Sequence, residues 1–206
     1  MIAIIDYDAG NIRSVEKALK FLGHDTCLTR DRDVLLQADQ VILPGVGNFG
    51  DAMQKLEQYR LIGTIKEIVS EKIPFLGICL GLQLMFEKSE EAPGVPGLGL
   101  LKGEIKRIPP AEGLKIPHMG WNSLSLQNEG RLFKDIPQET YVYFVHSYYL
   151  KAADPQIVKA TTEYSVTIDA SVEQNNVFAC QFHPEKSSRY GLKMLENFAA
   201  IRKEDS

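Results

Sequence analysis

The chain has 206 residues, 44% hydrophobic and 24% charged, with a formal net charge of −4. That length allows one domain with a sizeable core, residues 1–206, and the acidic balance offers no surface for nucleic acid or anionic lipid. No apolar run is long enough to span a bilayer. The start Met1-Ile-Ala-Ile-Ile-Asp6 lacks a basic leader, and Cys27, Cys79 and Cys180 form neither a CxxC nor a disulfide framework, so a cytoplasmic location is expected.

The first half alternates strand and helix signals. Ile2–Ile5 reads as a strand. Asn11 is placed to cap a helix carrying Ile12, Val15, Leu19 and Leu22 on one face, stopped by Gly23. Thr26–Thr29 and Gln40–Leu43 are the next strand candidates, the latter ending at Pro44-Gly45. A helix from about Phe49 buries Met53 and Leu56, and another runs from Leu61 to Ser70. Such alternation predicts an α/β fold, an open and mostly parallel sheet flanked by helices. From about Gly94 the chain changes to Gly, Pro and short β-like runs: 104–108, 122–126, 141–145, 157–161, 166–170 and 177–181. These predict an antiparallel extension added to the sheet. A helix over 188–202, with Leu192, Leu195 and Phe198 inward, closes the chain.

One stretch changes character within a few residues. Phe75, Leu76 and Ile78 form a short apolar strand, Leu80, Leu84 and Met85 take helical spacing, and Cys79 stands at the corner. Gly77 and Gly81 flank it in the pattern of a nucleophile elbow, a sharp turn whose neighbours must lack side chains. A helix N-terminus beside Cys79 favours a thiolate, and the Leu80 backbone N–H is placed to bind an oxyanion. The pentapeptide alone fits a buried core cysteine equally well.

A nucleophilic cysteine needs a base, and the base an orienting acid. His183 stands in Gln181-Phe-His183-Pro-Glu185-Lys186, directly after an apolar strand. Pro184 biases His183 toward extended backbone, where residues two apart share a side, so Glu185 can reach the imidazole. Leu43-Pro-Gly45-Val46-Gly47-Asn48-Phe49 follows a strand and opens a helix. Its glycines lack nucleotide-binding spacing, but their backbone can supply a second oxyanion donor. His24 reads as a surface residue, and Cys27 and Cys180 as inert core residues.

Glycine loop, elbow and dyad, in that chain order, resemble the class I (triad) glutamine amidotransferases, and the resemblance runs nearly the full chain. It implies a flavodoxin-like core and hydrolysis of L-glutamine to glutamate and ammonia by Cys79, His183 and Glu185. It implies an oxyanion site from Leu80 and the Val46–Gly47 peptide. Gln83 and Glu91 would hold the substrate's amine-and-carboxylate end, with main-chain contacts from Ser147 and Tyr148. For Glu91, within a Ser-Glu-Glu run, a solvated helix end is the alternative. No cofactor and no metal are expected.

Four further segments, Asp6–Ser14, Pro44–Phe49, Pro117–Asn122 and Tyr143–Tyr148, narrow the resemblance to glutaminases that serve a separate (β/α)8-barrel cyclase as a heterodimer. On that reading Asn11, Arg13, Trp121, Asn122, Tyr143 and Lys186 lie at the interface or gate the site. Core tryptophan and exposed lysine are the plain alternatives for Trp121 and Lys186. Three rivals stay open: a glutaminase for anthranilate, aminodeoxychorismate or pyridoxal phosphate synthesis, a stand-alone cysteine γ-glutamyl hydrolase, and a non-catalytic subunit with the same fold.

Overall fold

The computed structural model describes residues 1–205. Its first half contains β1 (Ile2–Ile5), α1 (Ile12–Phe21), β2 (Thr26–Thr29), α2 (Arg32–Leu36), β3 (Gln40–Gly45), α3 (Phe49–Gln58), α4 (Leu61–Ser70), β4 (Phe75–Cys79) and α5 (Leu80–Leu84). There follow β5 (Lys88–Ser89), β6 (Gly103–Arg107), β7 (His118–Leu126), β8 (Thr140–His146), β9 (Tyr148–Ala152), β10 (Val158–Tyr164), β11 (Val166–Gln174), β12 (Val177–Cys180) and α6 (Ser188–Ala200). The main sheet has nine strands in the order β2-β1-β3-β4-β12-β11-β10-β7-β8. From β2 to β12 every neighbour is parallel. From β12 to β8 every neighbour is antiparallel.

The parallel half is covered on both faces, which is why its strands are continuous apolar runs. Adjacent residues Phe75 and Leu76 of β4 point into opposite cores. On one side α2, α3 and α4 bring Leu35, Met53, Leu56, Ile65 and Ile68 onto Ala3, Val41 and Phe75. On the other, α1 and α6 bring Val15, Leu19, Leu195 and Phe198 onto Ile4, Ile42, Leu76 and Phe178. The antiparallel half is covered less completely. Met119, Trp121 and Tyr141 are 63%, 52% and 61% exposed. Trp121 stands opposite Tyr143, and Met119 opposite Val145, across the β7–β8 pair.

Several expectations are corrected. Asn11 heads α1 but does not cap it. Its φ of 69° is left-handed and its side chain makes no cap bond. Helix α2 was not anticipated, because five residues are too few for a helical period. Asp31 is its cap, accepting from the backbone N–H groups of Asp33 and Val34. Strand β6 does not extend the main sheet but joins β5 and β9 in a separate three-stranded sheet. Cys27 lies half-exposed on the edge strand β2 rather than in a core, and Leu192 is only half-buried, Met194 taking the inward position.

At the β4–α5 corner the backbones approach very closely. A Cβ at Gly81 would lie 1.9 Å from the Leu43 carbonyl oxygen, and one at Gly77 would lie 2.7 Å from the Gly81 carbonyl oxygen. Neither backbone can retreat without disturbing β3 or β4. Gly81→Ala is therefore expected to cost about 3 kcal/mol or more, lowering Tm by about 10 °C in a thermal melt.

Candidate active site

Cys79 ends β4 and begins the turn into α5, with φ 55° and ψ −108°. For a residue with a Cβ that conformation costs on the order of 1–3 kcal/mol, held by the packing around it. Strand β12 runs parallel to β4 with Cys180 opposite Ile78, so both chains leave the sheet at the same edge. Carboxyl ends of parallel strands are where open α/β sheets place their sites.

His183 is extended, with φ −101° and ψ 97°, but Glu185 is not. Pro184–Lys186 form a 3-10 turn. The turn, and not the extended spacing expected from sequence, brings Glu185 back to the ring. The His183 Nδ1 to Glu185 Oε1 distance is 2.8 Å, and both side chains are fully buried. The Asn11 amide freed from capping donates to the same Oε1 at 2.6 Å. On the other side of the ring, Nε2 is buried and has no hydrogen-bond partner. Burial pulls the imidazole pKa down, but the Cys79 thiol and the Glu185 carboxylate outweigh it, and the value is pushed up to about 9. The backbone of His183 is held from β8. Its N–H donates to the Tyr143 carbonyl at 2.9 Å, Ser187 Oγ donates to the His183 carbonyl at 2.6 Å, and the Tyr143 N–H donates to Ser187 Oγ at 3.0 Å.

Strand β3 pairs with β4 so that Gly45 stands opposite Cys79. The Val46–Gly47 peptide therefore begins beside the elbow. The Tyr7 hydroxyl donates to the Pro44 carbonyl at 2.9 Å, and Asn48 caps α3 by accepting from the Asp51 N–H at 3.1 Å, so both ends of the loop are tied down. Gly47 itself has φ 111°, a conformation suited to glycine.

Cys79, Leu80, Val46, Gly47, Gln83, Glu91, Ser147 and Tyr148 line one cavity of about 370 Å³. A larger hollow of about 730 Å³ around Arg131 shares no residue with it. Glu91 is no solvated helix end, since its Oε2 accepts from the Phe49 N–H at 2.8 Å. Gln83 Nε2 donates to the Tyr148 carbonyl and to Gln181 Oε1, both at 3.0 Å. Gln181, fully buried, puts its own Nε2 3.7 Å from Cys79 Sγ.

A family model described as "Glutamine amidotransferase class-I" matches residues 3–201. The chain belongs to the class-I glutamine amidotransferase family. Among curated amidotransferases, it is 47% identical over 204 residues to "Imidazole glycerol phosphate synthase subunit HisH 1" of Methanococcus maripaludis, covering 98% of this chain and 100% of that one. It is 50% identical over 200 residues to "Imidazole glycerol phosphate synthase subunit HisH" of Moorella thermoacetica, covering 97% and 94%. Solved structures share the fold at lower identity. One titled "Crystal structure of glutamine amidotransferase" has a TM-score of 0.75 at 20% identity, covering 97% of this chain and 100% of that one. The glutaminase domain of Trypanosoma brucei CTPS with bound acivicin has a TM-score of 0.68 at 16% identity, covering 96% and 93%.

The cavity wall of this amidotransferase includes His146, one of a histidine pair that sequence reasoning missed. His118 Nδ1 and His146 Nε2 are 3.0 Å apart, and His146 Nδ1 is 2.8 Å from the Tyr148 carbonyl. A carbonyl only accepts, so His146 carries its proton on Nδ1. With His146 neutral, its Nε2 then accepts from His118 Nδ1, leaving His118 Nε2 to face the Asn122 amide at 3.4 Å. His118 is stacked between Phe144 and Tyr164. Ser187 and Gln181 were missed as well. A buried Gln between an apolar strand and a His was the available signal.

The remaining expected residues separate into two groups. Trp121 is exposed with its ring 6.2 Å from that of Tyr143, and Lys186 and Arg13 are exposed, Arg13 pairing with Glu16. Asn11 and Asn122 instead direct their amides into the chain, Asn122 donating to the Glu163 carbonyl at 2.9 Å.

Burial holds His118 down at about 4, and burial outweighs the Tyr148 hydrogen bond to hold His146 at about 3. Both lie below the unfolded value of 6.5, so the unfolded chain binds more protons between pH 6.5 and about 3, and stability falls as pH falls through that window. A histidine depressed to about 4 puts roughly 3 kcal/mol at stake. In urea titrations at pH 7 and pH 5, His118→Phe is expected to flatten this loss.

Proposed function

We propose that this chain is the glutaminase subunit of an imidazole glycerol phosphate synthase in histidine biosynthesis, acting as one domain throughout its length. The observation that carries the reading is the Cys79–His183–Glu185 constellation opening on a cavity sized for an amino acid. In this mechanism Cys79 attacks the side-chain amide carbon of L-glutamine after giving its proton to His183 Nε2. Glu185, steadied by Asn11, keeps the ring oriented and its imidazolium stabilised. The Leu80 N–H and one from the Val46–Gly47 peptide receive the oxyanion, each such donor being worth about 3 kcal/mol in the barrier. The imidazolium protonates the leaving ammonia, and water cleaves the thioester to glutamate.

The amino-acid end of the substrate meets Gln83 and Glu91. Both amide protons of Gln83 are committed to protein acceptors, so its Oε1 is the atom left for the substrate ammonium, alongside the Glu91 carboxylate. Ser147 and Tyr148 complete that wall through main-chain contacts. The ammonia passes to a (β/α)8-barrel cyclase bound as a heterodimer. There a phosphoribulosyl formimino-carboxamide ribonucleotide becomes imidazole glycerol phosphate and an aminoimidazole carboxamide ribotide. The face formed by the exposed Met119, Trp121 and Tyr141 with the half-buried Tyr143 is the docking surface, since aromatic anchors dominate such interfaces. Arg13 and Lys186 lie at its rim. The Met119–Asn122 and Tyr143–His146 segments favour this amidotransferase over those of other pathways, and the chain acts in the cytoplasm.

Alone, the chain is expected to hydrolyse glutamine slowly, with strong activation when a ligand-loaded cyclase is added in a coupled glutamate assay. High turnover by the free chain would overturn gating by the partner. Cys79→Ala is expected to abolish glutamine-dependent synthesis while synthesis from ammonium salts persists, measured as imidazole glycerol phosphate formed. Loss of both would refute the division of labour.

A further inference from the structure

We infer that Gln181 is a catalytic residue whose side-chain amide donates a hydrogen bond to the Cys79 sulfur and raises the thiolate fraction at neutral pH. The inference deepens the reading of Cys79 as a nucleophile and rests on it.

The argument is one of forced orientation. The Tyr148 carbonyl is an acceptor only, so the Gln83 atom at 3.0 Å from it is the amide nitrogen. That nitrogen is a donor only, so the Gln181 atom at 3.0 Å from it is the amide oxygen. Reversing either amide would set two donors or two acceptors against each other. Gln181 is left with one orientation, its NH2 toward Cys79 Sγ at 3.7 Å. The Tyr148 carbonyl that anchors the series also accepts from His146, and so fixes that ring's tautomer and, through it, that of His118. The fixed polarity thus begins at the Tyr148 carbonyl and ends on the nucleophile.

Burial gives this contact its weight. Gln181 is fully buried and Cys79 nearly so, where an N–H dipole on a charged sulfur is poorly screened. The S–H bond of Cys79 breaks, the proton passes to His183 Nε2, and the charge left on sulfur is met by the imidazolium and by the Gln181 N–H. The position beside β4 explains why this residue reaches the sulfur. Cys180 pairs with Ile78, so Gln181, the residue that follows β12, leaves the sheet beside Cys79.

The test is the pH dependence of Cys79 alkylation by iodoacetamide in the full chain, read on the Cys79 peptide by mass spectrometry so that Cys27 does not interfere. It needs neither glutamine nor a partner. Gln181→Glu keeps an acceptor for Gln83 but turns a donor into a like charge beside the sulfur. Its alkylation midpoint is expected to rise by about one unit or more, with the fold verified by thermal melt. An unmoved midpoint in a folded Gln181→Glu chain overturns the inference. Should that variant not fold, the unmutated chain decides. Its assigned Gln181 side-chain amide signals in 15N spectra should titrate with the Cys79 midpoint and cease to titrate in Cys79→Ala. A flat amide signal in the unmutated chain refutes the contact. A shifted midpoint in a chain that no cyclase activates would leave Gln181 in place and remove the pathway assignment instead.

Discussion

A side chain at position 81 would place a carbon 1.9 Å from the Leu43 carbonyl oxygen. That near-contact between α5 and β3 sets the rest of the site. It lets the chain turn from strand to helix within one residue, and it forces Cys79 to absorb the turn in a left-handed φ. It also draws the Val46–Gly47 peptide alongside Leu80. A looser corner would accept larger side chains and would draw Cys79 away from the Val46–Gly47 peptide that lines the same cavity.

Around the corner, buried polar groups are accounted for with little slack. Tyr143 supplies both its N–H and its carbonyl to the His183–Ser187 turn, Asn11 supplies the Glu185 carboxylate, and Tyr148 receives both Gln83 and His146. The exceptions are informative. His183 Nε2 and Glu185 Oε2 are buried without partners, and an unsatisfied buried atom is costly unless function requires it. A base nitrogen already satisfied by the protein would be no base for a thiol. The His118–His146 pair carries the opposite design, since every ring nitrogen has an assigned role and neither ring is built to change charge near neutrality.

The fold was legible where one residue type imposes one geometry. Continuous apolar runs marked β1, β3 and β4 because both their faces are buried, and Gly77 and Gly81 marked the elbow because no other residue fits. The features that stayed hidden depend on distant pairing. Asn11 has the composition of a helix cap, and only the position of Glu185, far along the chain, draws its amide elsewhere. His118 and His146 meet through the β7–β8 register, which no local pattern encodes. Strand β9 follows β8 after a single residue, so composition alone shows one run where the structure has two sheets. His183 and Glu185 were chosen rightly as neighbours for a mistaken reason, the Pro184 turn and not extended backbone joining them.

The sheet divides at β12. On the parallel side β1, β3 and β4 are sealed between two layers of helices, so a substitution there disturbs packing on both faces. On the antiparallel side the outer surfaces of β7 and β8 bear little internal load, although their inner backbones steady the histidine and the cavity wall. Such a molecule is free to evolve at two speeds. The ammonia-producing half resists change, while the outward side chains of one hairpin can be rewritten to address a new acceptor at small cost in stability.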